Sequence, residues 1–223
     1  MIDFNIMIDR YLYKEYKQKE IGRYYPSEIG SCMRKIWFSY KIPKETPKEL
    51  LKIFEAGNIL HDFVVRVLKS EKNPEVELLQ SELPFELAVD DFTISGRVDD
   101  LLLLKEMEKQ ILVEVKSCKS LFYIDRPLNH NVSQLQFYMW ALGVHNGILL
   151  YVEKNTLNSK VFTIKYNEEA GKQILERFKK LHKHLKDDTI PEAEAKQDQE
   201  TIWMCRWCDW KEECDKYKEE QRF

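Results

Sequence analysis

Four of the five cysteines in this chain lie close to its two ends. Cys32 lies near the start, and Cys205, Cys208 and Cys214 follow near the other end, in the run WMCRWCDWKEEC. Four thiolates can hold one zinc ion or one iron–sulfur cluster. A centre shared in this way joins the two ends of the chain, so the residues between them are expected to fold into a unit whose ends meet.

The composition indicates a well-packed chain that neither coats nucleic acid nor crosses a membrane. Of 223 residues, 43% are hydrophobic and 33% charged, and the net charge of −3 leaves room only for a local basic channel. No apolar run approaches the ~18 residues of a membrane span, and the amphipathic start lacks the apolar core of a signal peptide. An odd number of cysteines favours metal-bound thiolates in a reducing cytoplasm over secreted disulfides.

Hydrophobic periodicity predicts a mixed α/β order of helix, three strands, helix, two strands and a final helix. The first predicted helix has its apolar positions at Phe4, Ile8, Leu12 and Tyr16. The predicted elements are helices over residues 3–19, 47–70, 131–143 and 168–186, a short helix carrying Cys32 after Pro26, strands over 76–89, 92–104, 111–117, 147–153 and 160–166, and a polar linker over 187–200.

Acidic residues and a lysine are predicted to share one face of the sheet. On a strand over 111–117, Glu114 and Lys116 face the same side. A turn centred near residues 107–108 would place Asp99 across from Lys116, which brings all three side chains into one patch. A one-residue slip of register would put Asp100 in the place of Asp99.

This patch predicts a site for a divalent cation. Two neighbouring carboxylates repel each other unless a cation lies between them, and such oxygen ligands suit Mg²⁺ or Mn²⁺. The ion would lower the pKa of a bound water and neutralise charge on a scissile phosphate, and Lys116 would stabilise the same charge. His61 would add a nitrogen ligand, which favours Mn²⁺, and Gly57 on the same helix face would leave room for substrate.

Each of these features also has an ordinary structural interpretation. A Glu-x-Lys pair is common on surface strands, and a histidine in a helix is most often a satisfied residue at the edge of a core. The ordered set favours catalysis over a non-catalytic DNA-binding module, because buried anions repel a phosphate backbone. Arg23, Tyr24, Tyr25, Arg34 and Lys35 form either a groove for single-stranded DNA or a packed, solvated helix edge.

In this order, the motifs resemble those of the RecB-like branch of the PD-(D/E)xK nuclease superfamily. With the cysteines added, the chain from about residue 25 to 217 is similar to the CRISPR-associated exonucleases of the fourth Cas family. The matching residues are His61 of a GxxxH motif, Asp99 of GxxD, Glu114 and Lys116 of ExK, and Gln134 and Tyr138 of QxxxY. One departure is Met33, where the family often has proline after its first cysteine.

The resemblance implies an α/β fold: a restriction-endonuclease-like mixed sheet flanked by helices, with an iron–sulfur clasp joining the N- and C-terminal segments. Residues 1–223 would form a single domain with a core at about 47–186. The segments 1–46 and 187–223 would form the clasp.

The resemblance also implies a role for each matching residue. His61, Asp99 and Glu114 would bind the metal together with the Val115 carbonyl, and Lys116 would be catalytic with Asp99 and Glu114. Gln134 and Tyr138 would position DNA or brace the site. The thiolates that would hold an iron–sulfur cluster, of the four-iron form rather than the two-iron form, belong to Cys32, Cys205, Cys208 and Cys214.

The implied activity is that of a cytoplasmic exonuclease on single-stranded DNA ends or overhangs. Such an enzyme trims precursors of new CRISPR spacers alongside the integrase proteins. Two alternatives remain open at this stage. One is a DNA repair or recombination nuclease outside CRISPR, and the other is a non-catalytic module that binds DNA ends or the integrase.

Overall fold

Six strands form one mixed sheet in the computed structural model, which describes residues 2–15 and 17–220. The strands are β1 (Arg23–Tyr24), β2 (Val76–Val89), β3 (Phe92–Leu104), β4 (Lys109–Cys118), β5 (Asn146–Glu153) and β6 (Ser159–Lys165). The five predicted strands are all present, and the mixed α/β class is confirmed. The short β1 was not predicted, since two residues carry no periodicity.

Helices pack around this sheet. They are α1 (Phe4–Leu12), α2 (Met33–Lys41), α3 (Lys48–Leu68), α4 (Asn129–Leu142), α5 (Glu168–Lys186), α6 (Glu194–Gln197) and α7 (Lys211–Glu220), with 3-10 turns at Pro26–Glu28, Leu121–Tyr123 and Ile202–Trp207. The predicted helix over 3–19 is too long, because α1 ends at Leu12 and buries none of its residues, so no tertiary packing extends it. Tyr16 lies outside the described residues. No described helix combines the length and the apolar character that crossing a membrane requires.

The strand β3 pairs with three other strands, two of which share one of its edges. β2 pairs with β3 antiparallel along its length, β4 pairs antiparallel from Asp100 onward, and β1 pairs parallel up to Ile94. Beyond β4 the sheet continues with β5, which is parallel to β4, and β6, which is antiparallel to β5. Residues 95–99 of β3 therefore lie at an opening in the sheet between β1 and β4.

The two faces of the sheet are covered by different helices. Leu60 and Val64 of α3 form a buried cluster with Val152 of β5 on one face. Leu135 of α4 packs in another cluster with Leu112 of β4 on the opposite face. The sheet is thus the middle layer of an α/β/α arrangement, and side chains from either helix layer can reach its edge.

A third layer of packing joins α5 to α4. The rings of Phe137 and Phe178 lie 5.6 Å apart, and Gly171 of α5 sits directly against Trp140 of α4. A Cβ atom at Gly171 would lie 2.4 Å from the Trp140 ring, so the close approach of the two helices requires glycine at this position.

The N- and C-terminal parts of the chain meet in a cluster of their own. Phe38 of α2 packs with Trp210 and Cys214. The guanidinium of Arg34 donates to the carbonyl of Pro191 at 2.7 Å, so a cation inside the protein is tied to the C-terminal segment. The two ends therefore lie together, as the distribution of the cysteines predicts.

We expect opposite effects from alanine at two helical glycines. Gly57→Ala should raise the free energy of unfolding by about 1 kcal/mol, since its Cβ would meet only the Ser117 hydroxyl at 3.9 Å and the helix would gain propensity. Gly171→Ala should lower it by about 1–3 kcal/mol, because the Cβ overpacks against Trp140. Urea denaturation measures both, and a destabilising Gly57→Ala would contradict this account of the α3 packing.

Candidate functional site

Asp99, Glu114 and Lys116 come together at the opening in the sheet, where β4 no longer pairs with β3. The Lys116 ammonium donates to Glu114 Oε1 at 2.7 Å, and the Val115 backbone N–H donates to Asp99 Oδ2 at 2.7 Å. The register pairs Asp100 with Val113, so Asp99 lies level with Glu114 and not with Lys116. The predicted register is wrong by two residues, but such a shift leaves each side chain on its face, and the predicted patch is present.

Burial controls the electrostatics of this patch. Glu114 is only 2% exposed, and its Oε2 has no hydrogen-bond partner. Burial, followed by repulsion from Asp99, raises the pKa of Glu114, and burial also raises the pKa of Asp99. For Lys116, burial lowers the pKa, but the hydrogen bond and charge of Glu114 together with the charge of Asp99 outweigh it, and the net shift is upward. The site therefore holds more acidic groups than one ammonium can neutralise.

His61 of α3 approaches the acidic patch with its two ring nitrogens in different roles. Nε2 lies 3.1 Å from Oδ2 of the fully buried Asp100, and Nδ1 lies 3.6 Å from Glu82 Oε1. The hydrogen bond to Asp100 raises the pKa of His61 to about 9, against the effect of its own burial. A carboxylate that holds one nitrogen fixes the ring and leaves the other free for a ligand.

Two of these contacts were not predicted from the sequence. Asp100 was considered only as the residue that a slip of register would put in the place of Asp99. In the structure both aspartates belong to the site, because Asp100 forms a hydrogen bond with His61. Glu82 lies on β2 in an alternating strand pattern, which gives no signal for a functional role. Ligand atoms of His61, Glu82 and Asp99 all lie within 4.8 Å of one another.

Gln134 and Tyr138 of α4 support the lysine from the other face of the sheet. Gln134 Oε1 accepts a hydrogen bond from Lys116 at 3.2 Å, and its amide nitrogen lies 3.3 Å from the Tyr138 hydroxyl. Gly96 allows β3 to pass close to this pair, because a Cβ there would lie 3.3 Å from the Tyr138 hydroxyl. The contacts brace Lys116, which is one of the two roles expected for Gln134 and Tyr138.

These groups open into a cavity of about 670 Å³ that is walled by Asp99, Glu114, Gln134 and Tyr138 and rimmed by basic and aromatic side chains. The rim and remaining wall include Arg23, Tyr25, Glu82, Glu86 and Arg97. Of the predicted basic and aromatic cluster, only Arg23 and Tyr25 line this cavity. Tyr24 and Arg34 are buried and cannot contact DNA, which corrects that part of the prediction.

The four end-of-chain cysteines surround a second cavity, of about 250 Å³. Its lining includes all of them, together with Trp203 and Trp207. The cysteines that face it are Cys32, Cys205, Cys208 and Cys214. Among the described histidines, cysteines and acidic residues, three ligand atoms lie mutually within 4.8 Å only at His61, Glu82 and Asp99, so no three of the thiol sulfurs lie that close together.

The chain is similar to known proteins over most of its length. A model of the PD-(D/E)XK nuclease superfamily matches residues 26–215. The protein named CRISPR-associated exonuclease Cas4 in Saccharolobus solfataricus is 25% identical over 198 residues, which cover 85% of this chain and 86% of that protein.

Two solved structures share the fold. The crystal structure of SSO0001 aligns with a TM-score of 0.63 at 21% identity over 93% of both chains. LHK-Exo of Laribacter hongkongensis in complex with dAMP aligns with a TM-score of 0.54 at 12% identity, over 75% of this chain and 90% of that one. The chain therefore belongs to the PD-(D/E)XK nuclease superfamily, whose members use divalent metal ions, and it is a nuclease.

Proposed function

We propose that this nuclease is a cytoplasmic DNA exonuclease that uses Mg²⁺ or Mn²⁺ and acts on single-stranded ends or overhangs. The observation that carries the proposal is the set of Asp99, Glu114 and Lys116: Asp99 and the buried Glu114 line an open cavity, and Lys116 donates to Glu114 beside it. The similarity to a CRISPR-associated exonuclease supports attack from a DNA end. It also supports a role in trimming spacer precursors beside the integrase proteins.

The residues present fit a divalent metal ion. The unpaired Oε2 of buried Glu114 lacks a cation partner, and carboxylates with one imidazole are the donors that Mg²⁺ and Mn²⁺ accept. Asp99, Glu114 and His61 would hold the ion, with the Val115 carbonyl as a further ligand. When bound, the ion polarises the attacking water and neutralises charge that grows on the phosphate.

The chain's own side chains then orient the reaction. Lys116 is held between Glu114 and Gln134, so its ammonium has a fixed position beside the carboxylates and can stabilise the pentavalent phosphate charge. Arg23 and Arg97 at the cavity rim offer positive charge to the flanking phosphates of a DNA strand. Tyr25, exposed on the same rim, offers a ring on which a base can stack.

We also infer that residues 1–223 form one domain, with a core at about 47–186, and that a four-iron cluster clasps the segments 1–46 and 187–223. The cavity lined by Cys32, Cys205, Cys208 and Cys214 supports this inference. In a zinc site with Zn–S bonds of about 2.3 Å, sulfurs lie about 3.8 Å apart. No three of the described thiol sulfurs lie mutually within 4.8 Å, a spacing that suits a cluster in which each thiolate binds a different iron.

Removing either end of the central ion pair should abolish cleavage. Glu114→Gln and Lys116→Ala should each lower the rate on end-labelled single-stranded DNA with Mn²⁺ by about 100-fold or more, because each removes fixed charge at the reacting phosphate. EDTA should do the same to the unaltered protein. Lys119→Ala, at an exposed lysine just after β4, is the matched control and should keep full activity. Full activity in either active-site variant would refute the site.

Metal affinity should rise with pH between about pH 7 and pH 9. The raised pKa of His61 means that its ring is protonated at neutral pH, so an ion that takes Nδ1 must displace a proton. Titration calorimetry in two buffers of different ionisation enthalpy should report release of about one proton per Mn²⁺ near pH 7. A Mn²⁺ affinity that does not change over this range would contradict the assignment of His61 as a ligand.

The clasp predicts a coloured protein. After anaerobic purification, the chain should absorb visible light and contain iron, and Cys205→Ser should bleach the absorption and lower the thermal midpoint. Cys118 does not line the cysteine cavity, so Cys118→Ser serves as the control and should leave the spectrum unchanged. A colourless protein that carries zinc would overturn the cluster assignment.

A further inference from the structure

Glu82 has an unusual backbone conformation for a residue inside a strand. Its φ is 51°, in the left-handed region, although it lies in the interior of β2. Ser81 pairs with Asp100 and Leu83 pairs with Val98, whereas Glu82 and Asp99, which lie between them, do not pair. The other described non-glycine residues with positive φ lie in turns or loops: Asp90, Glu108, Leu157 and Asp188. The chain therefore turns Glu82 out of the ladder beside Asp99.

This turn directs the Glu82 carboxylate at the metal-binding groups. Oε1 lies 3.6 Å from Nδ1 of His61, while Oε2 forms an ion pair with the Arg97 guanidinium at 2.9 Å. Since Asp100 is bound to Nε2, Nδ1 is the ring nitrogen of His61 that an ion can take. Ligands of one octahedral ion at about 2.1 Å lie about 3 Å apart, so atoms within 4.8 Å can converge on it through small side-chain rotations.

A second observation points to a cation in the same cavity. Glu114, which lines it together with Glu82 and Asp99, is 98% buried, yet Oε2 has no hydrogen-bond partner. A buried carboxylate oxygen without a donor is costly unless a cation completes its surroundings. An ordinary surface pair between Glu82 and Arg97 would not account for the left-handed backbone, because exposed ion pairs contribute little to stability.

We propose that Glu82 supplies, through Oε1, a further ligand to the divalent ion held by His61, Asp99 and Glu114. Arg97, bound to Oε2, orients this carboxylate in the way that hydrogen-bonded neighbours orient metal ligands in general. The inference rests on the proposed function, since it assumes that the ion binds at this site. It assigns a role to the strained residue of β2, which no motif in the sequence indicates.

Mn²⁺ titration of the full-length chain by calorimetry tests the proposal without any measurement of cleavage. Glu82→Gln should weaken Mn²⁺ binding by about 10-fold or more. Glu86→Gln removes the same charge from an exposed residue of the same strand and the same cavity wall, and should bind like the unaltered protein. The difference between the two variants should persist at about 1 M salt, where the effect of a distant charge is screened.

A second variant distinguishes the loss of a metal ligand from the loss of the fold. Glycine adopts a left-handed backbone without strain, so Glu82→Gly should fold at least as stably and still show the weakened binding. Binding by Glu82→Gln and Glu82→Gly within about two-fold of the unaltered protein would overturn the inference, while loss of binding in Glu114→Gln would leave the proposed function standing. Absence of Mn²⁺ binding by the unaltered protein would overturn both.

Discussion

Glu114 is buried beside the half-buried Asp99, and the ammonium group of Lys116 donates to Glu114 at 2.7 Å. Inside a protein the low dielectric makes every uncompensated charge costly, so both carboxyl groups are stable as anions only when further positive charge is supplied. The protonated His61, held by Asp100, supplies part of it in the absence of an ion. A divalent cation would supply more. Metal binding, the protonation of His61 and the stability of the sheet around the site therefore depend on one another.

The divergence of β3 from β4 makes this site reachable from both helix layers. Past the pairing of Asp100 with Val113, the Asp99 side chain takes the Val115 N–H. Through the opening, α3 delivers His61 from one side, and α4 delivers Gln134 to Lys116 from the other. A regularly paired sheet would have separated these helices by its full thickness. The irregular edge of the sheet is therefore what allows the site to form.

Most of the fold follows from local patterns that the sequence displays. Strand and helix spacing predicted β2 to β6 and the helices α3, α4 and α5 to within a few residues, because these elements bury a regular face. The helix over 3–19 was too long because α1 has no buried face to extend it. The register of β3 and β4 was wrong by two residues, yet the patch of Asp99, Glu114 and Lys116 was right, since side chains alternate with a period of two.

The sequence by itself determined which chemical groups this nuclease carries and on which faces of its elements they lie, because spacing along a helix or strand is a local property. Only the tertiary structure decided how those faces meet. It set Asp100 behind His61, turned Glu82 toward the same ring, and brought the terminal cysteines to one cavity. These contacts join segments that are far apart in the chain, and they depend on helix docking and strand divergence that no local spacing encodes.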